Sequence, residues 1–194
     1  MLKRRFAIAR EIVDTENTYV NNLGCLCKSF LEKHKTVTMG LSKTDMFALL
    51  SNVEVIHSCH VKLLKTLQSR LQKWSDESAF GEVFLKETGW IKLYKYYINN
   101  FSASEAALKE WRQKNEEFKA YLVSVEYTQE MLGQNLESLL MTPVQRIPRY
   151  VLLLTDLLKS TPNQHPDKQN LAGALEFISE LAEYINEKKR ENVS

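Results

Sequence analysis

Apolar residues return every three or four positions along the start of the chain, at Ile8, Ile12, Tyr19, Leu23, Leu26 and Phe30. That spacing puts them on one stripe of a helix. A helix over residues 2–33 would run roughly 48 Å at ~1.5 Å per residue. Gly40 interrupts the pattern, and Ser42 followed by Asp45 offers a capping box for the next helix. The second stripe comprises Phe47, Leu50, Val53, Ile56, Leu63, Leu64, Leu67 and Leu71, and predicts one continuous helix. After the break at WSDESAFGEVF, Phe84 to Phe101 reads as a third helix. It should bend near Thr88–Gly89, because glycine weakens a helix interior by about 1 kcal/mol. Ser102 or Ser104 would cap a fourth helix reaching about Tyr121, and a short helix near Val125–Leu132 would precede Gly133.

The most apolar stretch is LLMTPVQRIPRYVLLLTDLLKSTP, from Leu139 to Pro162. Pro143 suits the first turn of a helix, where its missing N–H costs nothing. Pro148 lies further in and must take a hydrogen bond from Val144. Helical spacing turns Val144, Ile147, Val151, Leu154 and Leu158 toward the core and leaves Gln145, Arg149 and Leu152 on another face. A last helix carries Leu171, Leu175, Ile178, Leu181, Ala182 and Ile185, and its polar tail NEKKRENVS should fray. The pattern predicts an all-α chain, with residues 1–194 forming a single domain built as an elongated bundle of about six main helices.

Composition narrows the function classes. Hydrophobic residues make up 44% and charged residues 26%, which suits a folded globular domain. Lys and Arg number 26 against 24 for Asp and Glu, so net charge supplies no reason to expect nucleic acid or an anionic membrane as partner. No apolar run reaches the ~20 residues needed to span a bilayer. The start, MLKRRFAIAREIV, is not expected to be a signal peptide, because Arg10 and Glu11 break its apolar run. Cys25, Cys27 and Cys59 cannot all pair, which suits reduced thiols in a cytoplasmic chain.

Catalytic signatures are missing: the chain contains no HExxH, GxSxG, P-loop or GxGxxG pattern. His57 and His60 share a helix side, yet no cysteine or carboxylate set completes a metal site, so satisfied or surface histidines are expected. Neither a cofactor nor a metal is expected, and enzymatic bond-making chemistry is not expected either. Two polar features ask for another explanation. Glu16 sits close to the apolar stripe of the first helix and needs a buried partner, for which Arg146 is the candidate. Gln145 and Arg149 form a polar strip beside the core seam, as a partner-binding face on a rigid element would.

REIVDTENTYVNNL (Arg10–Leu23) and LLMTPVQRIPRYVLLLTDLLKSTP resemble the first and third conserved regions of the Dbl homology domain, the exchange module for Rho-family GTPases. LLSNVEVIHSCHVKLLKTL resembles the second, with Asn52 and His60 in family-like places. The wording PVQRIPRY is similar to the faciogenital-dysplasia-protein subgroup. The resemblance implies that the first, fifth and last helices form the face that binds a Rho-family small GTPase of Rho, Rac or Cdc type. It implies that Glu11, with Thr15 one turn on, meets switch I. Arg149 and Asn186 would meet switch II, with Gln145 beside them. Met141 would set selectivity, and Glu16 and Arg146 would shape the site. Arginine stands at 149 where the family often has lysine, which keeps the charge but presents a planar fork. The family commonly carries a pleckstrin homology domain after the bundle, for which the chain to Ser194 has no room, so membrane contact is expected only through neighbouring domains. The competing expectation is a non-catalytic helical scaffold or BAR-like membrane bundle. It calls for a basic concave face, which a net charge of +2 does not supply.

Overall fold

The structure is a computed structural model. It describes residues 2–193 apart from Thr88, and side chains between residues 3 and 192. The helices in chain order are α1 (Leu2–Leu26), α2 (Lys43–Leu50), α3 (Val53–Gln72), α4 (Gly81–Leu85), α5 (Trp90–Lys114), α6 (Glu116–Val125), α7 (Leu136–Lys159) and α8 (Lys168–Val193). No strand occurs among the described residues. Short α2 and α4 aside, six long helices carry the architecture, as the apolar spacing predicts.

Several boundaries differ from the sequence expectation, each for a local reason. The first helix keeps its regular turn only to Leu26, then widens into a π-turn over Cys27–Glu32 and tightens through Lys33–Lys35. Within the π-turn the carbonyl of buried Ser29 accepts the Tyr121 hydroxyl, and Phe30 meets the Tyr121 ring edge-on at 5.8 Å. The second expected helix is two, because Ser51 takes a left-handed φ of 54° between α2 and α3. That conformation costs a non-glycine residue about 1–3 kcal/mol. It is held by the Ser51 N–H to Phe47 O bond (2.7 Å) and by Asn52, whose side chain donates to Leu93 O (3.0 Å). The capping box at Ser42 and Asp45 forms as expected, with reciprocal bonds of 3.1 and 2.9 Å.

The third expected helix is also two, α4 and α5; Thr88, at the expected bend, lies outside the described residues. Asp167, from the loop before α8, starts α4 by accepting the N–H groups of Phe80, Gly81 and Glu82 at 2.7, 2.7 and 3.1 Å. Neither Ser102 nor Ser104 begins a helix. Both lie inside α5, where Ser104 donates to Leu49 O at 2.5 Å and binds α5 to α2. The true cap is Asn115, which accepts the Phe118 N–H at 3.0 Å and starts α6. Residues 126–135 form turns rather than the expected short helix, with positive φ at Tyr127 (61°), Leu132 (53°) and Gly133 (71°).

Asn135 caps α7, accepting the Ser138 N–H at 2.9 Å, so the helix starts earlier than Pro143 suggests. Both prolines therefore lie inside α7. Pro143 cannot donate to Leu139 O, and the Thr142 hydroxyl takes that carbonyl at 2.7 Å instead. The polar tail of α8 remains helical to Val193.

Side-chain pairs fix the direction of α7 against α1. Arg5 meets Thr161, Glu11 meets Arg149 and Glu16 meets Arg146, so the two helices run antiparallel. α7 packs against both α1 and α8, and α3 packs against α1.

Candidate functional site

The seam between α1 and α7 has a buried layer and an exposed layer. Glu16 is fully buried on α1, and its carboxylate collects three donors. Arg146 Nη2 donates to it at 2.6 Å, His60 Nδ1 from α3 donates at 2.6 Å, and the Tyr150 hydroxyl completes the set. His60 Nε2 shares a 2.8 Å hydrogen bond with the Tyr94 hydroxyl, which shares another of 2.7 Å with Tyr19. The Arg146 guanidinium lies 4.1 Å from the centre of the Tyr150 ring, and Trp90 packs 4.5 Å from His60.

Burial acts to raise the Glu16 pKa, but His60, Arg146 and Tyr150 overcome it and hold the carboxyl below its ordinary range. Burial acts to lower Arg146, and Tyr150 and Glu16 beside it drive its pKa upward instead. Burial pushes the Tyr19, Tyr94 and Tyr150 hydroxyls well up, which keeps them neutral donors. The expected pairing of Glu16 with Arg146 is present. The contributions of His60, Tyr150, Tyr94 and Tyr19 are not apparent from spacing, since they converge from α3, α5, α7 and α1.

This cluster sets the rotation of α7 about α1. One turn outward, Arg149 forms an ion pair with Glu11, their side chains 47% and 49% exposed. Thr15 follows Glu11 by a turn and returns its hydroxyl to Glu11 O at 2.9 Å. Gln145 is exposed and borders a shallow groove between α1 and α7, whose other walls include Asn22, Gln134 and half-buried Met141. Leu152 continues the strip at 60% exposure, an apolar position directly beside the polar ones. Asn186 is exposed on α8, across α7 from Glu11, immediately after Ile185. Ile185 shares a cavity wall with Met141 and Val144. The structure thus gathers Glu11, Thr15, Gln145 and Arg149 on one seam, with Met141 at the end of it and Asn186 on the neighbouring helix.

Chemically this surface offers a carboxylate, a guanidinium, amides and exposed aliphatic groups on a rigid frame. Among the described residues no group of His, Cys, Asp and Glu could hold a metal ion, and no helix is long and apolar enough to cross a membrane. All three cysteines are free thiols, and burial pushes Cys27 up to about 12.

Comparison with known proteins places this geometry. A profile described as the RhoGEF domain matches residues 8–186. The chain is 36% identical to the Dictyostelium discoideum protein "Guanine exchange factor for Rac 30" over 98% of its own length and 11% of that protein. It is 33% identical to human "FYVE, RhoGEF and PH domain-containing protein 3" over 92% of its length and 25% of that protein. Among solved structures, activated Vav1 superposes with a TM-score of 0.84 at 28% identity, covering 97% of this chain and 47% of that one. The DH domain of FARP2 superposes with a TM-score of 0.82 over 95% of this chain and 89% of that one; at 23% identity that likeness bears on the fold alone.

Proposed function

The chain belongs to the RhoGEF domain family, and we propose that it is a guanine nucleotide exchange factor that accelerates GDP release from a Rho-family small GTPase. The observation that carries this reading is the half-exposed Glu11–Arg149 pair, oriented on α1 and α7 by the buried Glu16 cluster. Such a pair is cheap to open, since exposed ion pairs contribute only about 0–1 kcal/mol. Both groups can therefore turn to a partner without disturbing the core beneath.

A GTPase holds its nucleotide through P-loop amides, a lysine and a magnesium ion, which let go together. An exchange factor makes and breaks no covalent bond. It binds the nucleotide-free conformation more tightly than the loaded one, and so shifts the population toward release. In this chain Glu11, supported by Thr15, engages switch I, while Arg149 and Asn186 engage switch II and Gln145 bridges the seam. Met141 meets the GTPase strands beside the switches, where the soft methionine side chain adapts to small differences between Rho, Rac and Cdc types. Each ~1.4 kcal/mol taken from the release barrier gives roughly tenfold in rate. The domain acts in the cytoplasm, with any membrane contact supplied by neighbouring domains. The chain spans 11–25% of the length of these curated relatives, and this proposal concerns the domain.

The test is release of a fluorescent GDP analogue from Rho, Rac and Cdc-type GTPases with and without residues 1–194. Acceleration of at least about tenfold on one member is expected. An unchanged rate on every member, with no capture of nucleotide-free GTPase, would overturn the proposal.

A further inference from the structure

A second groove is lined by residues of the π-turn after α1, the turn that follows it, α2 and the start of α3, and none of its lining residues comes from α7 or α8. It has a volume of about 450 Å³, a size at which apolar clefts hold ligands or partner side chains. Leu31 and buried Met46 line it, and Phe47 and Val55 stand beside them, 54% and 49% exposed.

Short α2 creates this exposure. Met46, Leu49 and Leu50 turn into the core, while Phe47 is left toward water on another side. A surface helix needs one apolar side to fold. The second, set next to Val55 at the start of α3, has no partner within the bundle. Two backbone irregularities border the same groove. The π-turn at Cys27–Glu32 supplies Leu31, and left-handed Ser51 lies in the lining where α2 meets α3. Irregularities of both kinds concentrate at functional sites. Charge completes the description. Lys35 and Lys43 are exposed in the lining and, among the described residues, neither has a carboxylate partner; Glu54 is the one acidic group in the lining.

We infer that this groove is a docking site for an acidic amphipathic helix of a partner protein. In that mode the partner sets apolar residues, three or four apart, against Phe47, Val55 and Leu31. Its acidic side lies along Lys35 and Lys43, whose charges stand free to meet it. Because the groove shares no residue with the GTPase-facing seam, the two sites can be occupied together, and the docked helix tethers the exchange domain without blocking it.

The test is selection of residues 1–194 against a display library of 18-residue amphipathic helices with randomised apolar and polar positions. Selected peptides should be enriched in Asp and Glu, and fluorescence anisotropy should find affinity reduced at least tenfold by Phe47→Ser and by Lys43→Glu. Raising salt should weaken binding, as expected for exposed charges. Both variants should keep the wild-type melting temperature and the wild-type GDP release rate, which separates this result from the exchange reading. No binders, binders indifferent to Phe47→Ser, or binders enriched in Lys and Arg would each overturn the inference. So would loss of the same substitutions' effect on peptides while binding to anionic vesicles remained sensitive to them.

Discussion

Two carboxylates of α1 have opposite fates. Glu11 is half-exposed against Arg149, and Glu16 is sealed against Arg146, His60 and Tyr150. Replacing Glu11 or Asn186 with alanine should slow nucleotide release roughly a hundredfold, about 2.7 kcal/mol of transition-state stabilisation, with an unchanged thermal melt; wild-type exchange rates in these variants would remove both from the interface. Glu16 answers to a different measurement. Its carboxyl is held below the ordinary carboxylate range in the folded state. The stability it contributes is therefore complete above the unfolded pKa of ~4.3 and is lost as pH falls through the lower folded value. Urea melts from pH 7 to pH 3 should show wild type losing more stability below about pH 5 than Glu16→Gln; parallel curves for the two proteins would contradict this. The Glu16–Arg146 pair was legible in the sequence because Glu16 is a charge close to an apolar stripe and so needs a buried partner. His60 and Tyr150 were not, because an imidazole or a phenol on such a stripe reads equally well as ordinary core.

At the scale of elements, periodicity located the long helices well and their breaks poorly. The apolar spacing from Leu50 to Leu71 runs on across Ser51, so spacing alone could not reveal that α2 and α3 are separate; the break comes from a backbone turn that the Asn52 side chain pins to Leu93 O of α5. Likewise, Ser104 looks like a cap until α2 arrives to accept its hydroxyl, and Asn115 then takes the capping role. The inward face of α7 was legible in part: Val151 and Leu158, expected inward, are only half-buried, while Leu153 and Leu157 turn into the core. Val144, Ile147 and Leu154 are 2%, 0% and 0% exposed, while Gln145, Arg149 and Leu152 face out. Leu154→Asp should consequently abolish cooperative folding, because a buried unpaired carboxylate costs more than the few kcal/mol by which a domain is stable. A soluble variant with a sharp thermal transition would refute that orientation of α7.

Across the whole molecule, long-range ties join segments that no local pattern connects. Arg5 near the start of α1 donates to Thr161 at 3.0 Å and to the carbonyls of Asp76 and Ser78 at 3.1 and 3.0 Å. Asp167 holds the start of α4 through three N–H groups, and α4 then lies so close to α8 that a Cβ on Gly81 would fall 2.4 Å from Leu171 N. Asp167→Ala strands buried donors and should cost about 3 kcal/mol, read as a lower urea midpoint. Exchange measured well below the melting temperature should survive, since the seam holds no residue of α4; parallel loss of exchange and stability would tie the two ends together. The layering of the α1–α7 seam has a final consequence, for descent. One pair of charges secures the architecture, and another, one turn out, is the pair we propose for the partner, so the two can drift independently. Copies of this domain released from selection for exchange should lose the Glu11–Arg149 pair first while the Glu16–Arg146 pair persists. The outer pair thereby becomes a marker for sorting working descendants from relics that only keep the shape.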